Sequence, residues 1–286
     1  MVPELKVHVK SNPKGIQTID FADPVAVKLL NKALLKSYYQ LGFWDIPDGY
    51  LCPPIPSRAE YIHQMADVLQ AIVPEQKLKN IKCLDIGVGA NCIYPILGFK
   101  EYKWSFVGSD IHDKTLAAAQ QIVDKNPEFK KAVELRKQSN VRDIFRGIIK
   151  EGERFELSFC NPPFHESAAE AAEAARAKYT ELHKNAGEKT VLNFGGKNHE
   201  LWSEGGEKRF IDSIAFQSKH FKNSVMWFST LVSKKENLKG IIKTLKKVDA
   251  AEIRTIKMDM GNKKSRLVTW TFQTPEQQVA WLSAKA

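Results

Sequence analysis

The chain is short of the features that mark several common protein classes. Four cysteines in 286 residues (Cys52, Cys83, Cys92 and Cys160) form no CxxC pair. They read as reduced thiols of a cytosolic protein, neither a disulfide framework nor a zinc site. The seven histidines form no HExxH pair, so no metal centre is expected. Asp85, Lys100 and proline pairs interrupt the apolar stretches, and none reaches the roughly 18 residues a membrane helix needs. Met1 to Lys10 has no apolar core of a secretory signal. No GxGxxG turn opens a helix, no GK[ST] loop occurs, and there is no internal repeat. Acid is also in deficit: 33 Asp and Glu against 43 Lys and Arg give a net charge of +10. That excess points toward a polyanionic partner.

What is present is a change of rhythm along the chain. Residues 1–75 read as a helical region. Asp23-Pro24 is a helix start, a capping carboxylate followed by a proline whose missing N–H costs nothing there. Leu29, Leu30, Ala33, Leu34 and Tyr38 follow at helical spacing. Trp44 to Pro56 is rich in Pro and Gly and reads as loop. Ser57 with Glu60 predicts a capping box opening a second helix that runs to about Ile72.

Residues 76–286 alternate strand-like and helix-like segments. Ile81–Ile86, Trp104–Ser109, Val133–Lys137, Phe155–Cys160 and Val225–Phe228 are strand runs, with helices expected near 114–125 and 237–247. This alternation predicts a parallel sheet covered on both faces. Glu252–Met258 and Arg266–Phe272, joined by Gly261-Asn262, predict an antiparallel C-terminal hairpin. Residues 165–206 interrupt the pattern. Ser167–Lys184 reads as helical, Asn193-Phe-Gly-Gly and Glu204-Gly-Gly-Glu as flexible punctuation, and so long an insertion at a strand's carboxyl end suggests a lid.

Three motifs fall on one edge of that sheet, where open α/β folds bind ligands. Asp85-Ile-Gly87-Val-Gly89-Ala-Asn91 ends the first strand; its glycines let a ligand approach the backbone, and Asp85 can accept from a cation or from loop amides. Asp110 ends the second strand and is placed to take both hydroxyls of a ribose. Asn161-Pro162-Pro163-Phe164 follows the fourth. Two prolines remove two N–H donors, leaving the Asn161 side-chain oxygen and the Pro162 carbonyl as acceptors, with Phe164 as a flat apolar face. Such a set suits an exocyclic amino group on a planar base: acceptors hold its hydrogens and return lone-pair density to the nitrogen.

These motifs resemble those of adenine-N6 methyltransferases that use S-adenosylmethionine. Further strings narrow the resemblance: Asp45-Ile-Pro-Asp-Gly, Pro53-Pro-Ile-Pro-Ser-Arg-Ala-Glu-Tyr-Ile-His, Asn91-Cys-Ile-Tyr-Pro, Leu192-Asn-Phe-Gly-Gly, Glu204-Gly-Gly-Glu and Lys264-Ser-Arg-Leu-Val-Thr-Trp-Thr-Phe. Over nearly its whole length the chain resembles the bacterial ribosomal RNA large subunit methyltransferase F family, which has eukaryotic relatives among the methyltransferase-like proteins. The resemblance implies a Rossmann-like α/β fold with a mostly parallel seven-stranded sheet. It also implies N6 methylation of one adenine in 23S ribosomal RNA, with S-adenosylhomocysteine as product and the RNA, or a large-subunit assembly intermediate, as partner. No membrane and no obligatory protein partner are expected, and the location is cytoplasmic.

Within that resemblance Arg58 matches a cofactor-site arginine. At the first position of a helix capped by Ser57 it is placed to clamp the methionine carboxylate, although an ion pair with Glu60 or Asp67 explains it equally simply. Asn91 completes the glycine motif. The cofactor's adenine is expected near Gln138, Ser139 and Asn140. Lys234 and Lys235, with the lysines that follow them at 239, 243, 246 and 247, and Lys263, Lys264 and Arg266 are candidate phosphate contacts, which raise affinity without selecting sequence. Phe194 and Trp202 either stack on flipped bases or anchor the insertion. Competing functions are methylation of a protein glutamine or of DNA adenine, and a non-catalytic RNA-binding assembly factor. The complete set of Asp85, Asp110 and Asn161 speaks against the last.

Overall fold

The computed structural model describes residues 2–73, 78–167, 169, 170, 173, 202–260 and 263–283. A 3-10 turn (Pro3–His8) and a small antiparallel hairpin, β1 (Val9–Ser11) and β2 (Gln17–Ile19), precede α1 (Pro24–Tyr39) and α2 (Ile55–Gln70). The opening segment is therefore not wholly helical. Asp23 caps α1, its side chain accepting from the Val25 amide at 2.9 Å. The buried positions of α1 are Ala26, Asn31 and Leu35, and Tyr38 is 73% exposed. The expected stripe is thus turned. Asn31 faces inward because its amide donates to the Pro53 carbonyl at 2.6 Å, tying α1 to the loop before α2.

Then come β3 (Lys82–Ile86), α3 (Ile93–Tyr102), β4 (Ser105–Asp110), α4 (Asp113–Lys125), β5 (Val133–Lys137) and β6 (Phe155–Cys160). After the insertion follow α5 (Gly206–Ser218), β7 (Val225–Val232), α6 (Lys235–Lys247), β8 (Glu252–Met260), β9 (Lys263–Thr271) and α7 (Pro275–Ser283). The seven-stranded sheet has the order β5-β4-β3-β6-β7-β9-β8, parallel except for β9 and β8. The order reverses direction between β3 and β6, the switch point of a doubly wound fold. Every residue of β6 and of β7 is buried, as expected of strands covered on both faces.

Two apolar layers sandwich the sheet. One runs from Leu35, Trp44 and Tyr61 through Ile96 and Phe106 to Phe159 and Trp227; the other joins Leu84, Phe145, Phe155, Ile214, Phe228 and Trp270. The first is continuous from the N-terminal helices into the sheet. Among the described residues, no helix is long and apolar enough to cross a membrane.

Three features depart from the sequence reading. A helix, α3, follows the glycine loop directly, entered through Cys92 in a left-handed conformation (φ 52°). The helix that was to begin at Ser57 begins two residues earlier, at Ile55, because Pro56 is tolerated in a first turn. The Ser57 hydroxyl donates to the Pro54 carbonyl at 3.1 Å and Glu60 accepts from Gln64, so no capping box forms. Finally, Glu204-Gly-Gly-Glu is a fixed helix start. Gly205 and Gly206 have φ of 77° and 63°, and a Cβ on Gly206 would stand 2.7 Å from the Glu166 side chain. Glu207, 2% exposed, accepts from the amides of Ser233 (2.6 Å) and Lys234 (3.1 Å) and from Asn237 (2.8 Å), fixing the entry to α6. Most of the expected 167–184 helix, together with Asn193, Phe194 and the glycines after them, lies outside the described residues, as does the Gly261-Asn262 turn.

Candidate active site

The carboxyl ends of β3, β4 and β6 open into a cleft of about 190 Å³. Asp85 pairs with Gly108 and Phe159, at the heart of the sheet, and is fully buried. Neither of its carboxylate oxygens has a hydrogen-bond partner among the described residues. Burial, and then the neighbouring Asp110 carboxylate, push the Asp85 carboxyl well above its usual range, while Arg58 pulls it down. A buried carboxylate left without donors is costly unless something else supplies them.

Beyond Asp85 the chain turns through Gly87 and Gly89, with φ of 75° and 65°. The Ser109 carbonyl accepts from both Gly87 and Val88 amides at 2.9 Å, pinning the turn to β4. A Cβ on Gly87 would meet nothing within 4 Å, so the backbone angle, not a steric clash, calls for glycine. Asp110 accepts from the Gly89 amide at 3.3 Å and the His112 amide at 3.0 Å. Burial raises its carboxyl and those amide bonds oppose the shift.

Arg58 lies one turn into α2, 8% exposed, and lines the cleft with its guanidinium carbon 5.8 Å from the Tyr94 ring centre. No carboxylate among the described residues lies within ion-pair distance of it, so the pairing with Glu60 or Asp67 is absent. Its own amide donates to the Pro54 carbonyl, so it stands inside the helix and not at its first position. Asn91 also lines the cleft, but its side chain is engaged: the oxygen accepts from Ile93 N at 3.1 Å and the amide donates to Leu51 O at 3.4 Å.

The far wall follows β5. Gln138 lines it while donating to Arg146 O and accepting from Asn140 N. Asn140 is in the turn, its side chain bonded to Asp143 and Arg142 N; Val141, Asp143 and Ile144 line the cleft in its place. Gln217 of α5 clamps this loop, accepting from Ile144 N and donating to Arg142 O, both at 2.8 Å.

Asn161 follows β6 directly, and its side-chain oxygen is buried with no partner among the described residues. Asn161 and Pro163 line the cleft, whereas Pro162 and Phe164 do not. Phe164, expected as a flat apolar face, is not among the residues that line the cleft. Trp202 and Phe210 supply aromatic walls in its place.

Tyr61, one helical turn after Arg58, was not singled out in the sequence, although its spacing from Arg58 offers the signal. Its hydroxyl accepts from the Cys160 amide at 3.3 Å and donates to the Ser229 hydroxyl at 2.8 Å, which donates to the Ser158 carbonyl. That chain fixes the last residue of β6, immediately before Asn161.

Lys234 approaches Glu170 at 3.4 Å and Lys235 opens α6, both just beyond β7. The pairing of Val232 with Arg266, and of Asp259 and Met260 with Lys264 and Lys263, carries the hairpin past the end of β7 on the edge that holds the cleft.

Comparison with known proteins agrees with this geometry. Residues 1–274 match a family model described as RNA methyltransferase. The ribosomal RNA large subunit methyltransferase F of Cytophaga hutchinsonii is 50% identical over 287 residues, covering 99% of this chain and 88% of that protein. Its namesake from Yersinia pseudotuberculosis is 49% identical over 288 residues, covering 99% and 85%. The hMettl16 catalytic domain in complex with a MAT2A 3′UTR hairpin superposes with a TM-score of 0.79 at 26% identity, over 95% of this chain and 88% of that one. The N-terminal domain of human METTL16 in complex with SAH gives 0.76 at 25% identity, over 95% and 91%. With a catalytic cleft of this form and a family match over nearly its full length, the chain belongs to the RNA methyltransferase family.

Proposed function

We propose that the protein transfers a methyl group from S-adenosylmethionine to the N6 amino group of one adenine in 23S ribosomal RNA, acting in the cytoplasm on the free RNA or on a large-subunit assembly intermediate. The cleft's donor set fits the cofactor. Asp85 offers two buried, unpartnered acceptors for the ammonium, Arg58 an unpaired guanidinium for the carboxylate, and Asp110 a carboxylate at a strand end for the ribose hydroxyls. Gln138 and the loop after β5 stand where the adenine of the cofactor fits. When bound, the cofactor supplies an electrophilic methyl on sulfur and leaves as S-adenosylhomocysteine.

The observation that carries the reading is the buried, unpartnered oxygen of Asn161 beside these cofactor groups. It accepts one hydrogen of the target amine; the Pro162 carbonyl, next in the chain although not among the residues lining the cleft, is the acceptor proposed for the other. Held out of the ring plane, the nitrogen regains lone-pair density. The new N–C bond makes the remaining N–H acidic, and its proton passes to water. No strong base is needed, and positioning supplies most of the rate. Lys234, Lys235, Lys263, Lys264 and Arg266 lie on elements at the same edge and serve as phosphate contacts.

The test is methyl transfer by the purified protein to 23S RNA, DNA and protein, with nucleosides identified by mass spectrometry. N6-methyladenine at one RNA position is expected, and Asn161→Ala should slow transfer by about 10²-fold with little change in cofactor affinity. Methylation confined to DNA or protein, or an unimpaired Asn161→Ala variant, overturns the proposal.

A further inference from the structure

Most tryptophans of this fold spend their indole N–H on a fixed oxygen. Trp44 donates to Asn91 O at 3.0 Å, Trp227 to Gln278 at 3.1 Å, Trp270 to Ser218 at 3.0 Å and Trp281 to Glu156 at 2.9 Å. Trp202 does not: its N–H is buried and has no partner among the described residues, and the residue lines the cleft that holds Asn161. It is also held in place. His165 and Trp202 form a parallel bridge, and the Ser203 amide donates to the His165 carbonyl at 3.1 Å. His165 stands four residues after Asn161, so the backbone that carries the acceptor oxygen is tied directly to the backbone that carries the indole. The Ser203 hydroxyl beside them is buried and unpartnered as well.

An indole N–H can only donate, and the Asn161 oxygen can only accept. A site with one fixed donor and one fixed acceptor selects a ligand edge with the opposite pattern. Adenine presents that edge, its amino group flanked by unprotonated ring nitrogens at N1 and N7. Guanine presents an oxygen where adenine has the amine, and a proton on N1. A flipped base of that kind would place two acceptors or two donors in contact, leaving buried polar groups unpaired. Cytosine shares the amine-beside-nitrogen pattern and is one ring smaller.

We infer that Trp202 is a base-recognition residue, its indole N–H donating to the ring nitrogen beside the target amine, N1 or N7, so that Trp202 and Asn161 together read adenine. The inference rests on the adenine-N6 reading above and adds the residue that selects the ring. It also assigns the end of the insertion, at Trp202-Ser203, to the acceptor pocket.

The experiment crosses Trp202→Phe, which keeps a ring and removes the donor, with the target base. A 23S RNA fragment carries adenosine, 1-deazaadenosine or 7-deazaadenosine at the methylated position, and kcat/KM is measured for each with wild type and variant. On adenosine the variant should lose about tenfold or more, the scale of one buried hydrogen bond. On one of the two deaza RNAs wild type and variant should agree within about twofold, because the indole there has nothing to donate to; comparing variants on each RNA cancels the effect of the deaza ring on amine reactivity. Equal losses on all three RNAs, or no loss on any, overturn the inference while leaving the adenine-N6 reading intact. Absence of N6-methyladenosine from the wild-type reaction overturns that reading and the inference with it. If Trp202→Phe does not fold, the affinity of wild type for the three RNAs, which amine reactivity does not enter, decides: equal affinity for all three refutes the inference, and a loss of about tenfold confined to one deaza RNA supports it.

Discussion

Binding of S-adenosylmethionine should expel a proton, and Asp85 should be its source. The carboxyl is fully buried, unpartnered, and close enough to Asp110 to be raised further by it. It therefore holds its proton at pH values where an ordinary aspartate, near 3.9, has lost it. An ammonium seated against it favours the ionised form. Between the ordinary carboxylate range and the raised value, uptake of the cofactor should release up to one proton. Across that window affinity should climb by up to about tenfold per pH unit. Above the raised value the dependence flattens, and above about pH 8 affinity falls as the cofactor's own amine deprotonates. The sign follows from the direction of the shift: a raised acid opposes ionisation in the empty cleft, so the loss of affinity comes on acidification. Titration calorimetry in buffers of differing ionisation heat, at fixed pH, counts the protons directly. Asp85→Asn should bind weakly and release almost none. If wild type releases no proton at any pH, or if Asp85→Asn releases as many, the ammonium does not sit on Asp85.

Arg58→Ala should weaken S-adenosylmethionine by about tenfold or more while leaving adenosine affinity nearly unaltered, since only the former carries a carboxylate; equal losses in calorimetry would return Arg58 to a packing role. Tyr61→Phe removes the acceptor of the Cys160 amide and one of the two bonds of the Ser229 hydroxyl, which keeps its bond to the Ser158 carbonyl. It should lower stability by about 1–3 kcal/mol and kcat by about tenfold with cofactor affinity kept, and a loss confined to cofactor affinity contradicts the assignment. Glu207→Gln removes a charged acceptor from the entry to α6, and a thermal melt should show a destabilisation of about 2 kcal/mol; an unchanged Tm refutes it. RNA affinity should fall steeply with salt, and reversing charge at Lys234 and Lys235 should flatten the slope; an unaltered slope moves the RNA elsewhere.

The sheet was legible because buried strands show as short apolar runs, and because Asp85, Asp110 and Asn161 each mark a strand's carboxyl end. Val133–Lys137 and Phe155–Cys160 were bounded to the residue. The gaps have local causes. Helix α3 follows a left-handed cysteine, where no capping side chain announces it. Helix α5 hides behind two glycines that resemble a hinge, and its rigidity comes from Glu166, 40 residues earlier in the chain, and from the entry to α6. Local propensity carries no trace of such partners. The same limit applies to Phe164: the motif names an aromatic at the right place in sequence, but the aromatics that line the cleft, Trp202 and Phe210, come from the far side of the insertion. Asn91 and Gln138 line the cleft and Asn140 stands in the turn beside it, yet the side chains of all three are spent on holding loops, a division of labour that only three-dimensional neighbours reveal.

Helix α2 carries Arg58 and Tyr61 one turn apart, about 4.5 Å along the axis. Arg58 lines the cleft, where we propose that it meets the cofactor's carboxylate, and Tyr61 grips the backbone that presents Asn161. On that proposal the helix, packed on one face of the sheet, works as a gauge block that sets the span between methyl donor and acceptor through its own rigid pitch. A Rossmann-like sheet on its own leaves that span to flexible loops. Here a segment outside the sheet fixes it, and the same segment buries one face of that sheet, so the gauge cannot be removed without the core it covers. Exchanging α2 as a unit between family members should then preserve methyl transfer, whereas inserting a single residue between Arg58 and Tyr61, which rotates one relative to the other by about 100°, should abolish it.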